Sequence, residues 1–180
     1  MSILKTNSIQ TVDGKLILNN TGSIIQIAST TKQDIWSGGV YPNWGTVNGL
    51  SVSITPTSSS NKILILGQIS CSSGHWQVKG RLIRDGNAIS DAMGTPRGNT
   101  TVCTFCMNEY PNAAVGYGMY SGHINFLDSP ASTDLITYGV QMRSYSDSYA
   151  VGVNYSVYTD DNSDYYGNGI STLTAIEVSA

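Results

Sequence analysis

The sequence predicts an all-β protein, a jelly-roll-like antiparallel β-sandwich. Three observations predict it. Apolar and polar residues alternate in stretch after stretch, as where Leu50, Val52 and Ile54 are interleaved with Ser51, Ser53 and Thr55. That is the period of a half-buried strand. Turn signals recur at intervals of about 10–15 residues, the rhythm of a sandwich or barrel. No segment carries a helical period. An immunoglobulin-like sandwich would show a Cys…Trp…Cys pattern, and the three cysteines fall in none.

Taken in order, residues 1–28 hold two short apolar bursts, Leu16–Leu18 after the Asp13-Gly14 turn and Ile24, Ile25 and Ile27 after Asn19–Gly22. Bursts this short are marginal alone, so residues 1–28 are expected to form an arm that gains order by pairing with another chain, with an N-terminal edge hairpin of the main domain as the alternative. Residues 29–49 are a turn-rich connector carrying Trp36, Tyr41 and Trp44, aromatics suited to a core edge or an interface. Residues 50–180 are the expected sandwich. Its first strand stops at Pro56, which cannot donate to a ladder. Thr57–Asn61 turn the chain, because short hydroxyl and amide side chains bond their own backbone. Ile63, Leu64, Ile65 and Leu66 are then apolar on both faces. Such a strand needs cover on both sides, one side from the domain's own core and the other from a second layer, with a partner subunit the natural candidate.

Val78–Ser90 reads as a hairpin about Asp85-Gly86, a strong two-residue turn signal. A polar loop, 91–100, precedes a strand at Thr101–Met107. Ala113–Leu127 is a long or bulged strand whose Gly116, Gly118 and Gly122 share a face, which lets a ring or a backbone approach closely. Leu135–Met142 and Ala150–Thr159 alternate cleanly, 160–169 is a loop, and Ile170–Val178 is the last strand.

Composition narrows the function. Charged residues are 12% of the chain against a usual ~25%. Ser, Thr, Asn and 19 Gly fill the gap, and the net charge is −3. No basic patch is visible, which argues against nucleic-acid binding. No apolar run is long enough for a membrane helix and no secretory signal is visible, so the expected place of synthesis is a cytoplasm.

Candidate chemistry is sparse. Cys103 and Cys106 lack a second ligand pair for zinc, and on a strand a spacing of three would put them on opposite faces. They are expected to be free thiols packed as small apolar groups. His75 and His123 lack a nucleophile elbow and a recognisable acid partner, so no catalytic residue is expected. Asp160, Asn162 and Asp164 open like a calcium loop, but Tyr165 and Ser171 stand where the Gly and Glu belong. No metal or other cofactor is expected. Tyr145, Tyr149, Tyr165 and Tyr166 lie among Ser, Asp, Asn and Gly in loop-like segments. Rigid rings with small polar neighbours make an adaptable binding surface, one that meets the CH faces and hydroxyls of a saccharide. Tyr145, Tyr149, Asp160, Asn162, Tyr165 and Tyr166 are the candidate receptor-binding residues; packing of the loops or of subunits would use the same rings.

Three stretches resemble tail-fibre and receptor-binding proteins of tailed bacteriophages, in particular those of cyanophages and marine phages. They are SILKTNSIQTVDGKLILNNTGSIIQI near the N-terminus, LSVSITPTSSSNKILIL at Leu50–Leu66, and FLDSPASTDLITYGVQ at Phe126–Gln141 together with STLTAIEV at Ser171–Val178. Segments 91–114 and 143–169 match nothing in that family. The resemblance implies a homotrimeric β-sandwich, similar in outline to the tumour-necrosis-factor and C1q jelly rolls. A partner subunit would then cover the outer side of Ile63–Leu66. It also implies a virion protein made in the host cytoplasm. Residues 1–28 would attach to other tail or baseplate proteins, and the sandwich would bind a host-surface glycan or protein without catalysis. Two alternatives stand beside it: a capsid decoration or head-fibre protein on the same scaffold, and an enzyme degrading surface polysaccharide.

Overall fold

A computed structural model of the chain describes residues 8–10, 16–19, 22–74, 77–108, 118–145, 147–157 and 167–180. Its longest strand is β6 (Lys62–Ser73), which enters directly from the Thr57–Asn61 corner. On one side β6 pairs with β10 (Tyr120–Asp128) from Ile63 to Cys71. On the other it pairs first with β13 (Ser171–Val178) and then with the short β12 (Val151–Val153). β3 (Ile24–Lys32) adds to the free side of β13, and β4 (Trp36–Gly38) to that of β12. The second sheet is built on β11 (Ile136–Ser144), between β5 (Gly45–Ile54) and β7 (Gln77–Arg84). β8 (Asn87–Ala88) and β9 (Phe105–Asn108) share the far edge of β7. A separate two-stranded pair joins β1 (Ser8–Gln10) to β2 (Leu16–Asn19).

With the short β4, β8 and β12 set aside, the strands from β3 to β13 form one sheet in the order first, eighth, third, sixth. The other sheet has the order second, seventh, fourth, fifth. This is the wrapping of a jelly roll. The alternation read from the sequence faces inward as expected. Leu50, Val52 and Ile54 of β5 meet Ile63, Ile65 and Ile69 of β6, with Leu82, Tyr138, Val140 and Leu173 completing the layer between the sheets. The Asp85-Gly86 turn has positive φ at both residues, 49° and 80°, as a type I′ hairpin requires. At Gly122 the close approach is by a ring: Phe105 lies flat over Gly80 and Gly122, where a Cβ on either glycine would collide with it.

Two polar clasps hold the sandwich. Between the sheets, Asp128 Oδ2 accepts from Tyr138 Oη and from Arg84 Nη1, each at 2.6 Å. Burial and the Asp128 carboxylate together push the Tyr138 phenol above its usual pKa. Across β6, opposite the same Ile63 that Asp128 faces, lies Glu177, fully buried on β13 and in no ion pair among the described residues. Its carboxylate accepts from Asn61 Nδ2 and Gln26 Nε2, each at 2.6 Å, and from the Thr57 amide and hydroxyl at 2.7 and 2.8 Å. Burial alone would raise its pKa; the donors, Asn61 first, outweigh it and hold the carboxyl at about 2.

Four expectations need correction. Ile24–Lys32 does not wait for another chain: it runs across the expected boundary between 28 and 29 and ladders onto this chain's own β13. A continuous ladder satisfies its backbone groups, which an isolated hairpin cannot do for so short an apolar burst. The connector 29–49 likewise contains β4 and the first half of β5. Ala150–Thr159 is not one strand. Asn154 breaks it with a φ of 66°, its amide donating to the carbonyls of Lys32 and Asp34 and its Oδ1 accepting from Ser171 Oγ. Cys103 and Cys106 are joined by a disulfide, with Cα atoms 6.5 Å apart. Strand β9 begins only at Phe105, so the opposite-face rule for strands does not govern Cys103. Cys71, by contrast, is a free buried thiol, and burial pushes its pKa up to about 12.

Two outcomes follow from this architecture. Glu177→Ala, which strands several inward-facing donors, is expected to cost about 2–3 kcal/mol in urea unfolding. The folded pKa lies below the ordinary 4.5, so the carboxylate's contribution is complete above about pH 4.5 and fades as pH falls toward 2. The stability gap between wild type and variant should therefore narrow over that window, and a gap that stays constant would rule out the charged cage. For the cysteines, alkylation of the unfolded but unreduced chain should label Cys71 alone. Labelling of all three without reductant would exclude the disulfide.

Candidate functional site

Two outward surfaces stand out, one on each sheet. On the first sheet the register carries a row across four strands: Ile27 of β3, Ile176 of β13, Leu64 of β6 and Leu127 of β10 are direct cross-strand neighbours. All four point away from the core. Ile27 is 60% exposed and Leu127 47%, and Leu66, Ile24 and Ile25 extend the same patch. Period two thus splits the doubly apolar run: Ile63 and Ile65 are fully buried in the core, and Leu64 and Leu66 face outward. The run that looked uniform in sequence serves two surfaces.

The second surface is a cleft of about 660 Å³ on the outer side of the other sheet. Its floor comes from the pairing of β7 with β11, whose register sets Lys79 directly opposite Arg143 and Arg81 opposite Gln141. The connector folds over this floor. Gly39, with φ of 65°, passes so close to the Met142 carbonyl that a Cβ would clash there. Its own carbonyl accepts from the Ser144 amide at 2.6 Å. Just after this crossing, Tyr41 and Trp44 lie against the cations. The Arg143 guanidinium is 5.1 Å from the centroid of each ring, and Arg81 is 4.3 Å from that of Trp44. These are cation–π distances. Arg143 Nη1 donates to the Pro42 carbonyl at 3.1 Å and Nη2 to Thr101 Oγ1 at 2.8 Å. The other wall, Asn99–Thr101, leads into Thr104, whose amide donates to the Gly80 carbonyl. Tyr145 closes the end, its ring 5.6 Å from Lys79 Nζ.

The electrostatics of this floor are one-sided. Lys79 is held below its usual pKa by desolvation and by the neighbouring Arg143 charge, and Arg81 is lowered by the same two causes. Among the described residues the ion pairs are Lys32–Asp34 and Arg84–Asp128, and neither reaches these cations. Asp147 lines the cleft, is exposed, and accepts from Ser148 Oγ. The absence of a basic patch, expected from composition, therefore fails locally: Lys79 and Arg81 on β7 are far from Arg143 in the chain and beside it in the sheet.

The candidate receptor residues are divided. Tyr145 lines the cleft. Tyr149 lines a separate recess of about 300 Å³ with Ser37, Gly74, Tyr155 and Val157, and its ring packs on Gly74. Asp160, Asn162, Tyr165 and Tyr166 lie outside the described residues. Sequence reasoning missed Tyr41, Lys79 and Arg143 as parts of one site. Only the β7–β11 register unites them, and no local motif encodes it. His123 is exposed on β10 opposite Gln68, while His75 lies outside the described residues. No cluster of three or more His, Cys, Asp or Glu suited to a metal occurs among the described residues. No helix there is long and apolar enough to cross a membrane.

No family model matches the chain, and no curated protein matches it. Among solved structures, it is similar to chains of infectious bursal disease virus. The Gx strain structure aligns at a TM-score of 0.38 with 12% identity, and the Gt strain structure at 0.39 with 13%. Each alignment covers 96% of this chain, which spans 42% of the matched chain's length. A likeness this distant carries no argument about function.

Proposed function

We propose that the chain is a non-enzymatic structural protein of a virion: a homotrimeric, jelly-roll tail fibre or fibre tip of a tailed phage. The observation that carries the proposal is the apolar row Ile27–Ile176–Leu64–Leu127 on the outer side of a sandwich that already has its own core. Outward residues of this kind favour burial against a further layer. A second and third copy supply that layer in the architecture the tail-fibre resemblance implies. Residues preceding β3 would join other tail or baseplate proteins. The opposite surface, with its cleft and loops, would meet the host. The mechanism is binding: three modest sites held on one rigid trimer act together, and avidity replaces strong single-site affinity.

The assembly is tested by light scattering at micromolar concentration, where wild type should run at three times the 19.2 kDa chain mass. Leu64→Asp and Leu66→Asp should run as folded monomers by circular dichroism. A wild type that is itself monomeric would remove the trimer, and a Leu64→Asp protein that remains trimeric would move the interface elsewhere. Antibody labelling of intact virions tests the location. Signal on the tail supports a fibre, and signal on the head would replace it with a capsid decoration protein.

A further inference from the structure

We propose that the cleft between Tyr41, Arg143, Lys79 and Tyr145 is a binding site for acidic saccharide, taking the carboxylate of a uronic-acid-type residue. The proposal rests on the host-attachment function above and names the chemistry of its ligand.

The first ground is a charge arrangement that folding alone does not favour. Lys79 and Arg143 are direct cross-strand neighbours, and like charges in that position destabilise a sheet. No carboxylate among the described residues pairs with either. An anion in the cleft would supply the missing countercharge. The second ground is an unspent donor set. Arg143 is 7% exposed, and two of its five N–H groups go to Pro42 and Thr101. Its Nε is buried without a partner, so the donors left for a ligand are the second hydrogens of Nη1 and Nη2. The guanidinium is fixed by those two bonds and by the Tyr41 and Trp44 rings, so it is pre-organised for a planar carboxylate. The third ground is the wall chemistry. Tyr41 and Tyr145 are each about half exposed and offer flat apolar faces to the CH side of a sugar ring, while Gln77, Asn99 and Thr100 offer amide and hydroxyl groups to its hydroxyls. A cavity of about 660 Å³ lies in the range of small-ligand sites.

The site is tested by calorimetric titration with oligomers of alginate and of polygalacturonate, with neutral dextran and dextran sulfate as controls. Wild type should bind the two uronates and not dextran. Lys79→Gln and Tyr145→Ala, both at partly exposed positions, should each weaken uronate binding by about tenfold, and Lys79→Arg should retain it. Wild type that ignores both uronates, or variants that bind them as wild type does, would overturn the proposal. So would dextran sulfate bound as tightly as the uronates and released with them by moderate salt, since that is attraction to any polyanion. Host-cell adsorption separates the two levels. Cells bound equally by wild type and Lys79→Gln would leave attachment standing and remove the cleft from it. Uronate binding that depends on Lys79, in a protein that labels no part of the virion, would keep the site and remove the fibre.

Discussion

A carboxylate buried without a cation is the constraint on which this sandwich depends. Glu177 is charged in the folded protein only because four donors from two separate segments converge on it. Those segments are the edge strand β3 and the Thr57–Asn61 corner between β5 and β6. Burying an unpaired charge is otherwise prohibitive, so the donors must all arrive together. The cage thereby fixes where the chain leaves one sheet and enters the other. Asp128, on the other flank of β6, is held instead by a cation, Arg84, and a tyrosine, and that clasp sets one sheet against the other.

The two outer faces of the sandwich have opposite characters. One presents aliphatic side chains on four adjacent strands; the other presents cations under aromatic rings. This division comes from the alternation of each strand, since the inward positions of both sheets are mostly apolar, apart from clasp residues such as Asp128 and Glu177, and the outward ones differ. A change on either outer face can be made without touching the core between Leu50, Ile65 and Tyr138. The proposed roles of assembly and recognition are therefore physically separable, although both lie within one small domain.

Much of the fold was legible locally. Leu50, Val52 and Ile54 announced their strand by period, and Asp85-Gly86 announced its hairpin by its tolerance of positive φ. What was not legible was partnership. Ile24–Ile27 looked like an orphan because its ladder partner, β13, lies more than a hundred residues away. Nothing local marks Glu177 as a buried acid, since its Gln26, Thr57 and Asn61 donors are equally remote. The cleft was invisible for the same reason: Tyr145 drew attention by its loop-like surroundings, whereas Lys79 and Arg143 had only a strand register to unite them. Asn154 did carry a signal, because asparagine tolerates the left-handed region, but the flanking valines masked it.

The place of β13 has a consequence for how the chain acquires its structure. This strand lies between β3, the first of its sheet in sequence, and β6, near the middle. During synthesis β3 emerges early, yet its ladder partner is complete only when residues 171–178 have left the ribosome. Contacts this distant in sequence make folding slow, and until then the apolar edge of β3 is open to any strand nearby. Neighbouring nascent copies would be the strands within reach. The interval before closure is thus when β3 is most exposed to mispairing between chains, and the Glu177 cage, assembled with the last strand, marks its end.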